Sequence, residues 1–235
     1  MPWSADTFPA QGLGVEVSLW SADLGALSTE VERLGPLADV FHLDASDTRM
    51  VPDALLFPDL LAAIRPHTRI PIHVHLMAER ATHLTEAFVR AGADLITLHS
   101  TADDLDEALD TARELGAATG LALTLDTPVE VLSDYADNTD AVLMVGTPLG
   151  TKGTGMDPAA PARIRAARAL LAAAGRAEIP VIADGGIRAD TVPALAAAGA
   201  HAVVAGSLLL GADDPATATA WLRTHAPMSP SMDQS

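Results

Sequence analysis

The stretch VFHLDASD, Val40 to Asp47, carries an imidazole and a carboxylate two residues apart, His42 and Asp44, in a run that otherwise reads as a buried strand. Residues i and i+2 share one face of a strand, so both side chains reach one centre. Desolvating a charge is costly unless it is paired or coordinated, so packing alone does not account for the pattern. Two other apolar runs end in matching groups, His75 in PIHVHLM and Asp184 in VIADGG. Two imidazoles and two carboxylates make a nitrogen and oxygen donor set suited to one divalent ion, Zn²⁺, Mn²⁺ or Fe²⁺, and coordination explains how the charges tolerate burial. His73 shares a strand face with His75 and is expected to orient a ligand from behind. His99 reads as a plain strand-end residue outside the site, and His67, His83, His201 and His225 as structural or solvated.

A second group of motifs suits an anion. DGGI, Asp184 to Ile187, and AGSLLLG, Ala205 to Gly211, place Gly185, Gly186 and Gly206 directly after apolar runs. Glycine lets backbone N–H groups approach an anion closely, and a following helix N-terminus adds the positive end of its dipole. The segment VGTPLGTKGTGMDP, Val145 to Pro158, is rich in Gly and Thr and holds Lys152, the only lysine of the chain. It reads as a mobile lid that excludes water and adds donors to a phosphate.

Such groups need a scaffold that brings distant stretches to one place. Eight β-rich runs recur: Gly14–Leu19, Val40–Asp44, Ile70–Leu76, Leu95–His99, Gly120–Leu125, Ala141–Val145, Pro180–Ala183 and Ala202–Ala205. Between them lie amphipathic stretches such as Leu27–Leu34, Ala81–Ala91, Ala102–Leu115 and Pro161–Ala174. This alternation predicts βαβ units, a parallel sheet and, with eight units in 235 residues, an α/β fold of the (β/α)8 TIM-barrel type. The phrases LADVFHLD, AGADLITLHS and AAGAHAVVAGS repeat one device, a helix end followed at once by a strand. His42, Asp44, His75 and Asp184 all fall at C-terminal strand ends, the active-site face of such barrels. No interior linker stands out, so residues 1–225 are expected to form a single barrel domain and residues 226–235 a disordered tail.

Bulk composition narrows the partners. A formal charge of −17 repels nucleic acid and anionic lipid, although a local nest of N–H groups still binds a small anion. There is no cysteine, hence no disulfide framework or thiol nucleophile. The opening MPWSADTFPAQG lacks the features of a secretory signal, and no apolar run approaches a membrane span, so a cytoplasmic protein is expected.

From Val15 to Gly211 the residues resemble the ribulose-phosphate 3-epimerase family. VSLWSADLGAL resembles its opening Ser-x-x-Ser-Ala-Asp segment, FHLDASDTRMVP its His-x-Asp-x-Met-Asp-Gly segment ending in Val-Pro, and PIHVHLM its Pro-Leu-Asp-Val-His-Leu-Met. ADGGI and VAGSLLLG are similar to its phosphate glycines. The resemblance implies a barrel of the ribulose-phosphate-binding type that holds one divalent metal through His42, Asp44, His75 and Asp184. It further implies inversion at C3 of a ketose phosphate through an enediolate, with D-ribulose 5-phosphate and D-xylulose 5-phosphate as the default pair. Asp44 would act as base and Asp184 as acid, exchanging roles in reverse. Ser18 and His75 would contact substrate, Met77 and Met144 would cap the intermediate, and Gly150, Thr151, Lys152, Gly153, Gly185, Gly186, Gly206 and Ser207 would hold the substrate and its phosphate. A small phosphorylated sugar as ligand and a homo-oligomeric state complete the expectation.

The chain departs from the family pattern at four places. Ser46 and Thr48 stand where the family has methionine and glycine, His73 where it usually has an aspartate, and TPLGTKG, Thr147 to Gly153, where it has Asn-Pro-Gly-Phe-Gly-Gly-Gln. The altered lid motivates a second reading, an epimerase of a hexulose or tetrulose phosphate. A non-catalytic phosphate-binding barrel and a metal-free synthase or decarboxylase are the rivals from other classes.

Overall fold

The computed structural model describes residues 3–227, so of the expected tail only residues 226 and 227 are described and the rest lies outside. Eight strands, β1 (Gly14–Ser18), β2 (Val40–Ser46), β3 (Ile72–Met77), β4 (Leu95–His99), β5 (Ala118–Leu123), β6 (Ala141–Val145), β7 (Val181–Asp184) and β8 (Ala202–Ala205), close into a barrel in sequential order. All pairings are parallel, and β1 pairs with β8 to remove both sheet edges. Helices α1 (Leu27–Leu34), α2 (Pro58–Ile64), α3 (Thr82–Ala91), α4 (Leu105–Glu114), α5 (Leu132–Tyr135), α6 (Ala160–Ala173), α7 (Val192–Ala197), α8 (Ser207–Leu210) and α9 (Pro215–Arg223) follow the strands. The architecture is the (β/α)8 barrel that the alternation predicts. No helix among the described residues is long and apolar enough to cross a membrane.

Element boundaries shift where local hydrogen bonds take over. β2 runs on to Ser46, beyond the expected Asp44. β5 begins at Ala118 and stops at Leu123 rather than Leu125, because Thr124 already belongs to a turn. There the Thr127 N–H donates to the Thr124 carbonyl, and the Arg163 guanidinium donates to both the Thr124 and Thr127 carbonyls at 2.7 and 2.6 Å.

The repeated helix-to-strand phrase has a physical counterpart at the lower rim. Asp39, Asp94 and Asp140 each precede a strand and accept the N–H that opens or follows the opening of the preceding one: Val15 at 2.8 Å, Ile72 at 2.8 Å and Thr119 at 2.9 Å. His201 repeats the device before β8, its Nδ1 accepting the Val181 N–H at 3.0 Å. Each link closes a backbone donor that the end of a strand would otherwise leave unpaired.

Strand alternation sorts the core into two layers. Val15, Val17, Phe41, Leu43, Val74, Leu98, Val142 and Met144 pack with helix residues such as Leu34, Leu61, Phe88, Leu109 and Ile164. The opposite phase points into the barrel, where Val40, Leu95, Ala122, Leu143, Ile182 and Val204 pack with Trp3 and Phe8. Above this apolar plug the interior turns polar, with Glu16, His42, His73, Thr97, Asp44, His75 and His99 all buried. Groups of this kind are buried only when paired, and the pairing defines the site.

Candidate active site

His42, Asp44, His75 and Asp184 converge from β2, β3 and β7, with one donor atom from each lying within 4.8 Å of the others. His42 Nε2 stands 3.4 Å from Asp44 Oδ1, and His75 Nδ1 stands 3.1 Å from Asp44 Oδ1 and 3.8 Å from Asp184 Oδ2. Ligand atoms held at about 2.0–2.2 Å from a first-row ion lie roughly this far apart. His42 Nε2 is also buried without a hydrogen-bond partner, so a lone pair or a proton at that atom faces carboxylates. Donor chemistry, spacing and the orphaned nitrogen all fit a divalent cation.

Electrostatics separates the two carboxylates. Burial alone would raise Asp44, but the His42 and His75 imidazoles outweigh it and hold the group well below the usual carboxylate range. Asp184 moves the other way: burial raises it, and the neighbouring Asp44 charge adds to that despite the two imidazoles. The two carboxylates are therefore pushed in opposite directions, the separation of proton affinities that suits a proton-transfer site. His42 is raised well above the imidazole range, because Asp44 and Glu16 overcome the burial that would lower it.

A pocket of about 200 Å³ opens above these groups, room for a small molecule rather than a polymer chain. Asp44, His75, Asp184, Ser18 and Met77 form its floor and walls. Gly150, Thr151, Lys152 and Gly153 come from the loop after β6, Gly185 and Gly186 from the loop after β7, and Gly206 and Ser207 from the end of β8. His42 lies beneath, fully buried.

Three expectations are corrected. Met144 does not line the pocket: it falls on the outward phase of β6 and packs in the layer under the helices, while Val145 takes the inward position. His99, read as a plain strand end, is buried with its Nε2 2.9 Å from His75 Nε2, so one ring donates to the other. Burial and the neighbouring His75 push His99 well below its usual value, leaving a neutral ring beside the candidate ligand. No helix starts directly after the β7 glycines, since α7 begins only at Val192, and the α8 turn after Gly206 spans just Ser207–Leu210. The backbone at the expected anion site is thus mainly loop.

Two contributors escaped the sequence reading. Glu16 on β1 is buried, and its Oε2 accepts from His42 Nδ1 and from His73 Nδ1, each at 2.8 Å. Burial alone would raise its carboxyl, yet the two imidazoles bring it down to about 2. Arg188, after the β7 glycines, also lines the pocket and donates to the Gly153 and Thr154 carbonyls at 2.7 and 3.3 Å. The lid is held on the β1 side too, where Lys152 Nζ donates to the Trp20 carbonyl at 2.8 Å and lies 5.6 Å from the Trp20 ring centroid. Asp47 belongs to loop structure: it accepts from the Arg49, Met50 and Glu79 N–H groups at 2.8, 3.0 and 2.8 Å.

The description "Ribulose-phosphate 3 epimerase family" matches residues 14–210, which span all eight strands and this whole site. The chain belongs to that family. It is 33% identical over 213 residues to the ribulose-phosphate 3-epimerase of Bacillus subtilis, covering 89% of this chain and 97% of the relative. Ribulose-phosphate 3-epimerase 1 of Cupriavidus necator is 37% identical over 204 residues, 84% of each chain. Among solved structures, 3-hexulose-6-phosphate synthase from Salmonella typhimurium shares the fold at a TM-score of 0.64 and 18% identity, over 90% of this chain and 97% of that one.

Proposed function

We propose that this barrel is a 3-epimerase of a ketose phosphate, with D-ribulose 5-phosphate and D-xylulose 5-phosphate as its pair. The carrying observation is that Asp44 and Asp184 enter one small pocket from β2 and β7 with their proton affinities pushed in opposite directions. Between those strands lie β1 and β8 on one side and β3 to β6 on the other, so the carboxylates approach from different walls. That arrangement suits inversion, because a proton removed by Asp44 from one face of C3 is replaced from the other face by Asp184 without the substrate turning over. Four-residue support comes from His42, Asp44, His75 and Asp184, which would hold one divalent cation, Zn²⁺, Mn²⁺ or Fe²⁺. When bound it supplies electrostatic stabilisation of the negative charge that develops on the substrate oxygens.

The remaining residues bind and shield. Gly185, Gly186 and Gly206 expose backbone at the phosphate end, and Lys152 and Arg188 bring the pocket its two cationic side chains. Met77 and Val145 add apolar surface beside the reacting carbons and limit water there. His75 lies against both carboxylates and is backed by His99, which fixes its ring.

Proton exchange at C3 in deuterated water, followed together with epimerisation, tests the reading. The wild-type chain is expected to wash deuterium into C3 of ribulose 5-phosphate. Asp44→Asn and Asp184→Asn are expected to lose epimerisation by about 10²–10⁴-fold while keeping the fold. Normal turnover in either variant defeats the two-carboxylate scheme, and exchange with hexulose or tetrulose phosphates but not with ribulose 5-phosphate moves the substrate to another ketose.

A further inference from the structure

The buried carboxylate Glu16 is a charged group at the middle of β1, and the scheme above gives it no direct part. Its environment is unusual for a barrel interior. One oxygen, Oε2, accepts from two imidazoles at 2.8 Å each, His42 on β2 and His73 on β3, while Oε1 is buried without a partner. His42 and His73 are themselves cross-strand neighbours, with ring centroids 4.7 Å apart and planes at 80°. His73 is tied at its far side to Thr97 Oγ1 at 2.9 Å. The β1, β2, β3 and β4 side chains thus form one braced row directly under the site.

The row has a consequence for the atom that faces the pocket. An imidazole that donates from Nδ1 to a carboxylate is fixed in ring orientation and leaves Nε2 as the only nitrogen free to bind anything else. His42 Nε2 is that atom: it stands 3.4 Å from Asp44 and has no hydrogen-bond partner. Rotation of the ring would break the Glu16 bond in a place that water does not reach, since both side chains are fully buried.

We propose that Glu16 is the positioning residue of His42, aiming its Nε2 at Asp44, His75 and Asp184 and thereby setting the affinity of that centre for a divalent cation. This rests on the reading that those four residues bind a cation. The carboxylate that backs His42 comes from β1, and the neighbouring place on β3 is filled by His73, a second donor to it.

Glu16, His42 and His73 also lie close enough to gather round an ion of their own; here Glu16 Oε2 is engaged by the two Nδ1 donors and His73 Nε2 by Thr97 Oγ1. Both ideas are separated by titrating the metal-free full-length chain with zinc against a chromophoric chelator, with circular dichroism to check folding. The variants are Glu16→Gln, which keeps the volume, and the double change Glu16→Ala with His73→Asp, which moves the carboxylate from β1 to β3. ¹⁵N spectra of the zinc-loaded proteins report whether His42 coordinates through Nε2 with Nδ1 protonated.

The wild type is expected to bind one equivalent with that signature. Glu16→Gln is expected to bind about 10- to 100-fold more weakly, and the double variant to recover affinity to within about threefold. Wild-type affinity in Glu16→Gln overturns the proposal. So does a loss that the double variant fails to recover, since the effect then lies in packing. Two equivalents in the wild type with one lost in Glu16→Gln would make Glu16 a ligand instead. A wild-type chain that binds no zinc refutes the cation reading itself, and the proposal with it.

Discussion

Gly186 offers the sharpest link between backbone geometry and substrate binding. Its φ is +68°, and a Cβ placed there would meet Met156 N at 2.5 Å and Met156 Cα at 2.6 Å. Those atoms are backbone and cannot swing aside. Gly186→Ala therefore incurs two costs, about 1–2 kcal/mol for a left-handed non-glycine residue and about 1–3 kcal/mol for forcing a packed contact apart. Gly116 provides the control: its φ is +89°, but nothing lies within 4 Å of its Cβ position. Both substitutions share the conformational strain and the gain from a less flexible unfolded chain, so their difference isolates the collision. Urea unfolding is expected to show Gly186→Ala less stable than Gly116→Ala by about 1–3 kcal/mol. The collision also displaces the lid, because Asp157, next to Met156, donates to the Gly146 carbonyl at 2.8 Å. KM for the sugar phosphate is accordingly expected to rise about tenfold in Gly186→Ala, as loss of roughly 1.4 kcal/mol of binding would give, and to stay unchanged in Gly116→Ala. Equal stability of the two variants would refute the close approach of the β7 loop to Met156, and unchanged KM would refute the placement of the anion there.

Two further outcomes test the scaffold. Burial and the Arg168 charge lower His201 from 6.5 to about 4, so the unfolded chain takes up a proton at a pH where the native ring resists it. Native stability is then full above about pH 6.5 and declines as pH falls toward about 4, by about 3 kcal/mol in all; His201→Asn, which can still accept the Val181 N–H, is expected to flatten that part of the urea-unfolding profile. Thr48, exposed at φ +62°, sits where glycine is unstrained; Thr48→Gly is expected to leave stability unchanged or raise it by up to about 1 kcal/mol in thermal unfolding, the strain relieved exceeding the added freedom of the unfolded chain. A clear loss would mean that the threonine side chain holds the loop.

The candidate centre was legible because His42 and Asp44 share a parity, and period two turns shared parity into a shared face. Applied to β1, the same rule reaches Glu16: Ser18 lines the pocket, so the residue two before it points inward as well, and GVEVS sets one carboxylate at that parity among apolar neighbours. The signal existed but needed the phase of β1, which Ser18 alone states weakly because serine is tolerated on either face. β6 lacks even that. In AVLMV both parities are apolar, so the sequence does not tell whether Met144 or Val145 turns inward, and only the register with β5 and β7 decides it. His99 failed for a third reason. Its parity with Thr97 marks the inward face, but its partner His75 lies on another strand, and a contact between neighbouring strands depends on register, which alternation along one strand does not carry. What a single sequence yields in a barrel is therefore the set of inward polar residues strand by strand; which of them touch is fixed by the stagger of the closed sheet. Arg188 shows the limit beyond the strands, since a loop side chain has no parity at all and reaches the pocket through its bonds to the Gly153 and Thr154 carbonyls.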